Sequence, residues 1–268
     1  MKVFDCFTFC DENKILEIRL NELDKFVDYF VIVEFGETHQ GNFKGKKINE
    51  SIIKNFLHKT KYIYVEKFNI KMSPWERENF QRNYIIQGLD NAKPEDIIII
   101  SDLDEIPKLK NINLEKIGNQ IFGFKQLNMM YKFNLLRDND WIGSRLCKFK
   151  KLKSPQWLRN LKMKKDYSHF RIDKFFSDNF SFNSKIIEDG GWHFGWIKSV
   201  DEIITKLESF AHDEFNTQKF KDSTHIKSCL KNNVNFLEPK RKLITIDISN
   251  LPEYLIKNKK NFHEFISN

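Results

Sequence analysis

The chain reads as an α/β protein built on a mainly parallel sheet flanked by helices, and three observations predict this. The order strand, helix, strand, helix, strand, helix, strand runs through the sequence as far as Pro107. Ile97, Ile98, Ile99 and Ile100 are four consecutive β-branched residues, which suit a strand buried on both faces. That run stops on Ser101-Asp102-Leu103-Asp104-Glu105, so carboxylates sit at the carboxyl end of a strand, where open α/β sheets bind ligands.

The elements follow in order. Residues 3–9 read as a strand, and residues 12–27 place Ile15, Leu16, Leu20, Leu23 and Val27 at helical spacing. A second strand over 29–35 leads into a polar loop rich in Gly and Lys (36–47), a short helix near 51–57 and a third strand over 62–65. Ser73-Pro74-Trp75-Glu76 predicts a helix start, with Ser73 as N-cap, Pro74 at the first helical position and Glu76 completing a capping box. That helix is expected to run to about Gly88 and to feed the isoleucine strand, with right-handed crossovers throughout. Beyond Pro107 the pattern loosens into strand-like stretches at 122–133 and 144–149, a basic segment over 148–171, a strand-like 192–196 and a helix over 200–210. The helix carries Ile203, Ile204, Leu207 and Phe210 on one face. A helical and irregular tail closes the chain, and the absence of repeats and linkers predicts one domain over 1–268.

Composition narrows the function classes. The 268 residues are 40% hydrophobic and 31% charged, as in a soluble globular protein. Forty-five Lys and Arg against 37 Asp and Glu give a net charge of +8, which favours a nucleotide, a nucleic acid or an anionic membrane without choosing among them. Cys6, Cys10, Cys147 and Cys229 lack paired Cys-x-x-Cys spacing, so free thiols are expected rather than a zinc knuckle. No charged-then-apolar leader and no apolar run of about 18 residues is visible, which predicts a soluble, cytoplasmic protein. The triplets Asn49-Glu50-Ser51 and Asn179-Phe180-Ser181 carry little weight in an Asn-rich chain.

Five constellations could carry chemistry. Asp102 and Asp104 would form an oxygen-rich pocket for a divalent cation that also holds the phosphates of a nucleotide; the alternative is an acidic turn. On the helix from Ser73, Glu78 and Arg82 lie four apart, a pair ordinarily worth only ~0.3–0.5 kcal/mol as a solvated bridge. Arg77, Gln81 and Asn83 beside them point instead to a polar cleft, where Arg forks suit phosphates and base edges. Gly190-Gly191-Trp192-His193 sets one imidazole among glycines and aromatics, with Glu188 and Asp189 just before it; the imidazole is either a hydrogen-bonded structural residue or a ligand. His212-Asp213-Glu214 is a capped helix terminus or a second acidic site. Lys148, Lys150, Lys151, Lys153, Arg159, Lys162, Lys164 and Lys165, interleaved with Phe149, Trp157 and Tyr167, suit a membrane or nucleic-acid surface, or simply a solvated face.

Together the pieces resemble glycosyltransferase family 17. The resemblance is carried by Phe4-Asp5-Cys6-Phe7, Leu16-Glu17-Ile18-Arg19-Leu20-Asn21-Glu22-Leu23, Asp28-Tyr29-Phe30-Val31-Ile32-Val33-Glu34 and Thr38-His39-Gln40-Gly41. It continues through Trp75-Glu76-Arg77-Glu78-Asn79-Phe80-Gln81-Arg82, Ser101-Asp102-Leu103-Asp104-Glu105-Ile106-Pro107, Gly191-Trp192-His193 and Lys206-Leu207-Glu208-Ser209-Phe210-Ala211-His212. The resemblance implies a GT-A fold, a nucleotide-sugar donor such as UDP-GlcNAc, inversion at the anomeric carbon, and a glycan or lipid-linked oligosaccharide as acceptor. It also implies a compact member without the animal enzymes' anchor and stem, differing from them at Phe194-Gly195. On this reading residues 1–107 form the nucleotide-sugar half, 108–235 the acceptor half and 236–268 a tail.

The expected mechanism is a single displacement. Asp102 and Asp104, with His193 as a possible third ligand, would hold Mn²⁺ or Mg²⁺ and the diphosphate, Asp104 more directly. Glu188 or Asp189 would be the base, with Glu105 and Glu214 in reserve. Glu34, Thr38, His39, Arg77, Gln81 and Arg82 would hold the nucleotide. Peripheral contact with the inner surface of an anionic membrane through the basic segment, from Lys148 to Arg171, is expected, and no nucleic acid. The competing classes are metal-dependent phosphoryl transfer through Asp102, for which no further Thr and Lys motif follows, and metal-independent nucleic-acid binding through the basic segment.

Overall fold

A computed structural model describes residues 1–68, 71–163, 184–209 and 215–267. β1 (Val3–Phe9), β2 (Tyr29–Phe35), β3 (Thr60–Val65) and β4 (Ile97–Asp102) are parallel neighbours in the spatial order β3-β2-β1-β4. Between them run α1 (Asn13–Leu23), the short α2 (Glu50–Ile53) and α3 (Pro74–Asn83), the last opened by the expected Ser73 capping box. The isoleucines of β4 show why this half must be covered on both sides. Ile97 and Ile99 pack into the core under α1, while Ile98 and Ile100 pack into the core under α3.

The sheet continues through β5 (Glu105–Pro107), β6 (Ile121–Met130), β7 (Leu135–Lys148), β8 (Ser184–Ile187) and β9 (Gly191–Trp196), in the order β4-β7-β6-β9-β5. β7 pairs antiparallel with β4 and β6, whereas β8 and β9 run parallel to β6. The basic stretch yields α4 (Pro155–Asn160), and its remainder from 164 lies outside the described residues. α5 (Val200–Ser209), α6 (Gln218–Lys221) and α7 (Ser223–Lys231) build a third apolar cluster around Ile203, Leu207, Ile226 and Phe236. β10 (Ile244–Thr245) caps β7, and α8 (Glu253–Lys257) packs against α1. This mixed α/β arrangement, with a sheet flanked by helices, is consistent with the expected GT-A-like fold. Among the described residues no helix is long and apolar enough to cross a membrane.

Three boundaries differ from the sequence reading. The first helix stops at Leu23 rather than 27, because Phe26 and Val27 close a turn onto the Leu23 carbonyl. The stretch 144–149 is the end of a 14-residue strand whose polar middle, Arg137 to Asp140, hid it. Within the described part of the basic segment Lys148 and Lys150 both bind Glu95 and Arg159 turns inward, while Lys151, Lys153 and Lys162 stay exposed.

Candidate active site

The acidic turn after β4 is fastened from behind. Arg19 on α1 is fully buried and binds Asp5 of β1 through Nε (2.8 Å) and Nη2 (2.6 Å). Its Nη1 donates to the carbonyls of Asp102 (3.0 Å), Leu103 (3.0 Å) and Glu105 (2.8 Å). One guanidinium therefore ties down three carbonyls of the turn, the third of which also accepts from Ser144 Oγ (3.0 Å). Glu105 is fully buried too. Its Oε1 accepts from Trp141 Nε1 (2.9 Å) and Arg159 Nη2 (2.5 Å), and its Oε2 from the Asp102 amide (3.2 Å), so the expected reserve base is a strut of the turn.

The two aspartates part ways on this turn. Asp102 is gripped by Arg82 of α3 (2.8 Å) and Arg159 of α4 (3.1 Å). Burial alone would raise its pKa, but the two guanidiniums hold the carboxyl well below the usual carboxylate range. Asp104 instead meets His193 Nε2 of β9 at 3.7 Å and Lys206 Nζ of α5 at 3.4 Å. Gly195 makes that meeting possible, since a Cβ there would come within 2.8 Å of His193 Nε2. The His193 ring stacks on Trp141 at 4.5 Å and 16°.

Asp102 and Asp104 both line a cavity of about 440 Å³ at the carboxyl ends of β1, β2 and β4. Thr38, His39, Gln81, Arg82 and His193 line it as well, so the structure brings these seven sequence-derived residues together. His39 Nε2 lies 2.9 Å from Gln81 Oε1, an oxygen that only accepts, which places the ring proton on Nε2. Burial lowers the His39 pKa, keeping the ring neutral near pH 7.

Other expected site residues lie elsewhere. Glu34 does not line the cavity: on β2 it alternates onto the α1 side, where its carboxylate accepts from Lys44 Nζ (3.0 Å), the Lys47 amide (2.6 Å) and Tyr62 Oη (2.7 Å). Arg77 is also outside, donating to the His39 carbonyl (2.9 Å) beside Gly41, so it braces the His39 turn from without. Glu188 and Asp189 precede β9, whereas His193 and Gly195 of that strand reach the cavity. At ~3.3 Å per residue Asp189 is on the order of 10 Å from His193, and it pairs with Lys108 (2.5 Å), while Glu188 pairs with Lys125 (3.2 Å). Glu214 lies outside the described residues.

Several cavity residues had no assigned role in the sequence reading. Asp11 and Glu12 follow β1 directly, a position that the strand-end rule could have flagged. Lys206 Nζ donates to the Gly195 carbonyl (2.7 Å) and Glu12 (3.1 Å), and Lys198 bridges Asp11 (3.0 Å) and Glu12 (3.6 Å). Trp141, Trp196, Arg137 and Glu238 close the far wall. Nothing local marks Trp141 or Arg159, because each acts through a long-range contact with Glu105.

Among the described residues no three His, Cys, Asp or Glu side chains are grouped to hold a metal ion. The donor set available is a pair, the Asp104 carboxylate and His193 Nε2. Such a pair fits a divalent ion that completes its shell from a ligand's phosphates, and does not form a closed protein cage. The acidic lining residues outnumber the basic ones, so a diphosphate entering here gains from an added cation.

The strand-end cavity, with its acidic turn and aromatic lining, thus sits on a mixed α/β sheet consistent with a GT-A-like fold. The chain belongs to glycosyltransferase family 17, whose model matches residues 1–266. It is similar to the β-1,4-mannosyl-glycoprotein 4-β-N-acetylglucosaminyltransferases of Homo sapiens, Rattus norvegicus and Mus musculus, each 22% identical over 296 aligned positions. Those alignments cover 100% of this chain and 55% of each relative, so the chain spans about half their length.

Proposed function

We propose that the chain is an inverting glycosyltransferase that moves N-acetylglucosamine from UDP-GlcNAc to a hydroxyl of a glycan or lipid-linked oligosaccharide. The observation that carries this reading is the convergence of Asp104, His193, Arg82 and the His39–Gln81 pair on one cavity walled by Trp141 and Trp196. His39 and Gln81 offer donor and acceptor atoms to a nucleobase edge, and Arg82, while it anchors Asp102, adds positive potential beside the phosphates. The tryptophans give a sugar ring an apolar face.

Asp104 and His193 would hold a divalent cation, Mn²⁺ or Mg²⁺, together with the diphosphate. When bound, such an ion neutralises charge on the leaving diphosphate. The chain must also take the acceptor's proton. Asp11 and Glu238 are cavity carboxylates with 42% and 49% of their side chains exposed, and we assign the base to one of them in place of Glu188 and Asp189. In Asp11 burial and the neighbouring Glu12 outweigh Lys198 and raise the pKa, which favours proton uptake.

The test is transfer from radiolabelled UDP-GlcNAc to a panel of β-mannose- and GlcNAc-terminated acceptors, with Mn²⁺ or EDTA. Transfer is expected with Mn²⁺, and Asp11→Asn or Glu238→Gln should lower kcat by about 10²–10⁴-fold at unchanged donor affinity. UDP-sugars that neither bind nor turn over would refute the reading; equal rates in EDTA would remove the metal from it.

A further inference from the structure

We propose that Lys206 is the chain's own cation for the donor's diphosphate, an assignment that rests on the donor reading above. α5 buries Ile203 and Leu207 in the third apolar cluster, which fixes the helix and turns Lys206 to the cavity. Its ammonium is held by four elements at once: α5 itself, Gly195 of β9 (2.7 Å), Glu12 after β1 (3.1 Å) and Asp104 on the acidic turn (3.4 Å). The Lys206 Nζ also lies 5.3 Å from the Trp196 ring centroid.

Three features distinguish this lysine from a structural ion pair. First, Lys206 lines the cavity, whereas Lys198 beside it does not. Second, Glu12 is shared with Lys198, which also pairs with Asp11, whereas Asp104 is engaged by Lys206 and not by Lys198. Third, the longest of the three hydrogen bonds is to Asp104, the carboxylate that the donor's cation would engage. An arriving diphosphate carries more charge than one carboxylate and can take over that weakest contact while Gly195 and Glu12 keep the ammonium in place. Arg82 is differently placed, being already committed to Glu78, Asp102 and Gln156.

The test is calorimetric binding of UDP, uridine and inorganic pyrophosphate to the wild type, Lys206→Met and Lys206→Arg, each in EDTA and in Mn²⁺. Lys206→Met is expected to weaken UDP and pyrophosphate roughly 10–100-fold, the range for losing a hydrogen bond to a charged group. Uridine should be unaffected, and Lys206→Arg, which keeps the charge, should recover most of the loss. Unchanged UDP and pyrophosphate affinity in folded Lys206→Met overturns the proposal. A wild type that binds pyrophosphate through Lys206 but ignores UDP removes the nucleotide reading and leaves this one standing. If Lys206→Met does not fold, the ¹⁵N signal of the Lys206 ammonium in wild type decides: it should move on adding UDP and not uridine, and a signal indifferent to both overturns the assignment.

Discussion

Asp102→Asn separates a scaffold carboxylate from a ligand-binding one. The wild-type carboxylate meets Arg82 at 2.8 Å and Arg159 at 3.1 Å, and its side chain is 32% exposed. Asparagine keeps the shape and removes the charge, leaving two guanidiniums on either side of a neutral amide. Breaking a fully buried ion pair costs about 3–5 kcal/mol. Here each arginine keeps a second carboxylate, Glu78 for Arg82 and Glu105 for Arg159, and the site is partly solvated, so about 2–4 kcal/mol is the better figure. For a chain of this size that is a fall in Tm of about 5–15 °C.

The sign of the pH dependence follows from the depressed pKa. An unfolded Asp titrates near ~3.9, and the folded carboxyl titrates well below that. Its contribution is therefore complete above about pH 5 and is lost as the pH falls through the folded value. Thermal melts of wild type and Asp102→Asn at pH 7, 5 and 3 should show a constant gap at the first two and a narrower one at the third. A variant melting within ~2 °C of wild type at pH 7, or a gap that does not narrow in acid, would refute the account of Asp102 as an anchor.

Asp104→Asn should behave in the opposite way, with Tm within a few degrees of wild type but Mn²⁺-dependent UDP binding lost by calorimetry. Arg77→Ala should cost roughly 1 kcal/mol through the lost bond to the His39 carbonyl, and UDP affinity should fall only a few-fold; a hundred-fold loss would place Arg77 on the ligand after all. Cys10 lines the cavity, yet burial, then Glu12 and Asp11, push its thiol up to about 12. Iodoacetamide at pH 8 should therefore modify it far more slowly than a free thiol of pKa ~8.5, and labelling within minutes would contradict that environment.

Local signals were legible at single-residue precision. β1, β2 and the Ser73 capping box came straight from apolar runs and from turn chemistry confined to four residues. What sequence spacing could not supply was direction. Glu34 sits near a strand end, as a ligand-binding residue should, but the two-residue alternation of β2 sends it sideways beneath the loop at Lys44 to Ile48. Glu188 and Asp189 adjoin His193 in sequence, yet they lie in the bend before β9, where they pair with Lys125 and Lys108 away from the imidazole. β5 was missed because three residues pair only through β9, more than 80 positions away. Arg159 was read as one of a run of exposed cations, and only its tertiary partners, Asp102 and Glu105, show that it points inward.

The acidic turn is consequently a junction more than a pair of ligands. Arg19 from α1, Arg82 from α3, Arg159 from α4, His193 from β9 and Lys206 from α5 all end on residues 102–105. Those five elements come from both the first 107 residues and the rest of the chain, so the turn ties the two stretches of sequence together. This explains how an Asp-x-Asp motif can sit in a cavity whose lining is acidic while the whole chain carries +8. Among the described residues the arginines nearest the motif are spent on holding it, and on the proposed reading it is Lys206, through its long contact to Asp104, that exchanges a bond for a ligand's charge. Two aspartates one residue apart then differ in kind: Asp102 is held between two arginines at 2.8 and 3.1 Å, and Asp104 meets a lysine and a histidine at 3.4 and 3.7 Å, the longer contacts that the proposed diphosphate would replace.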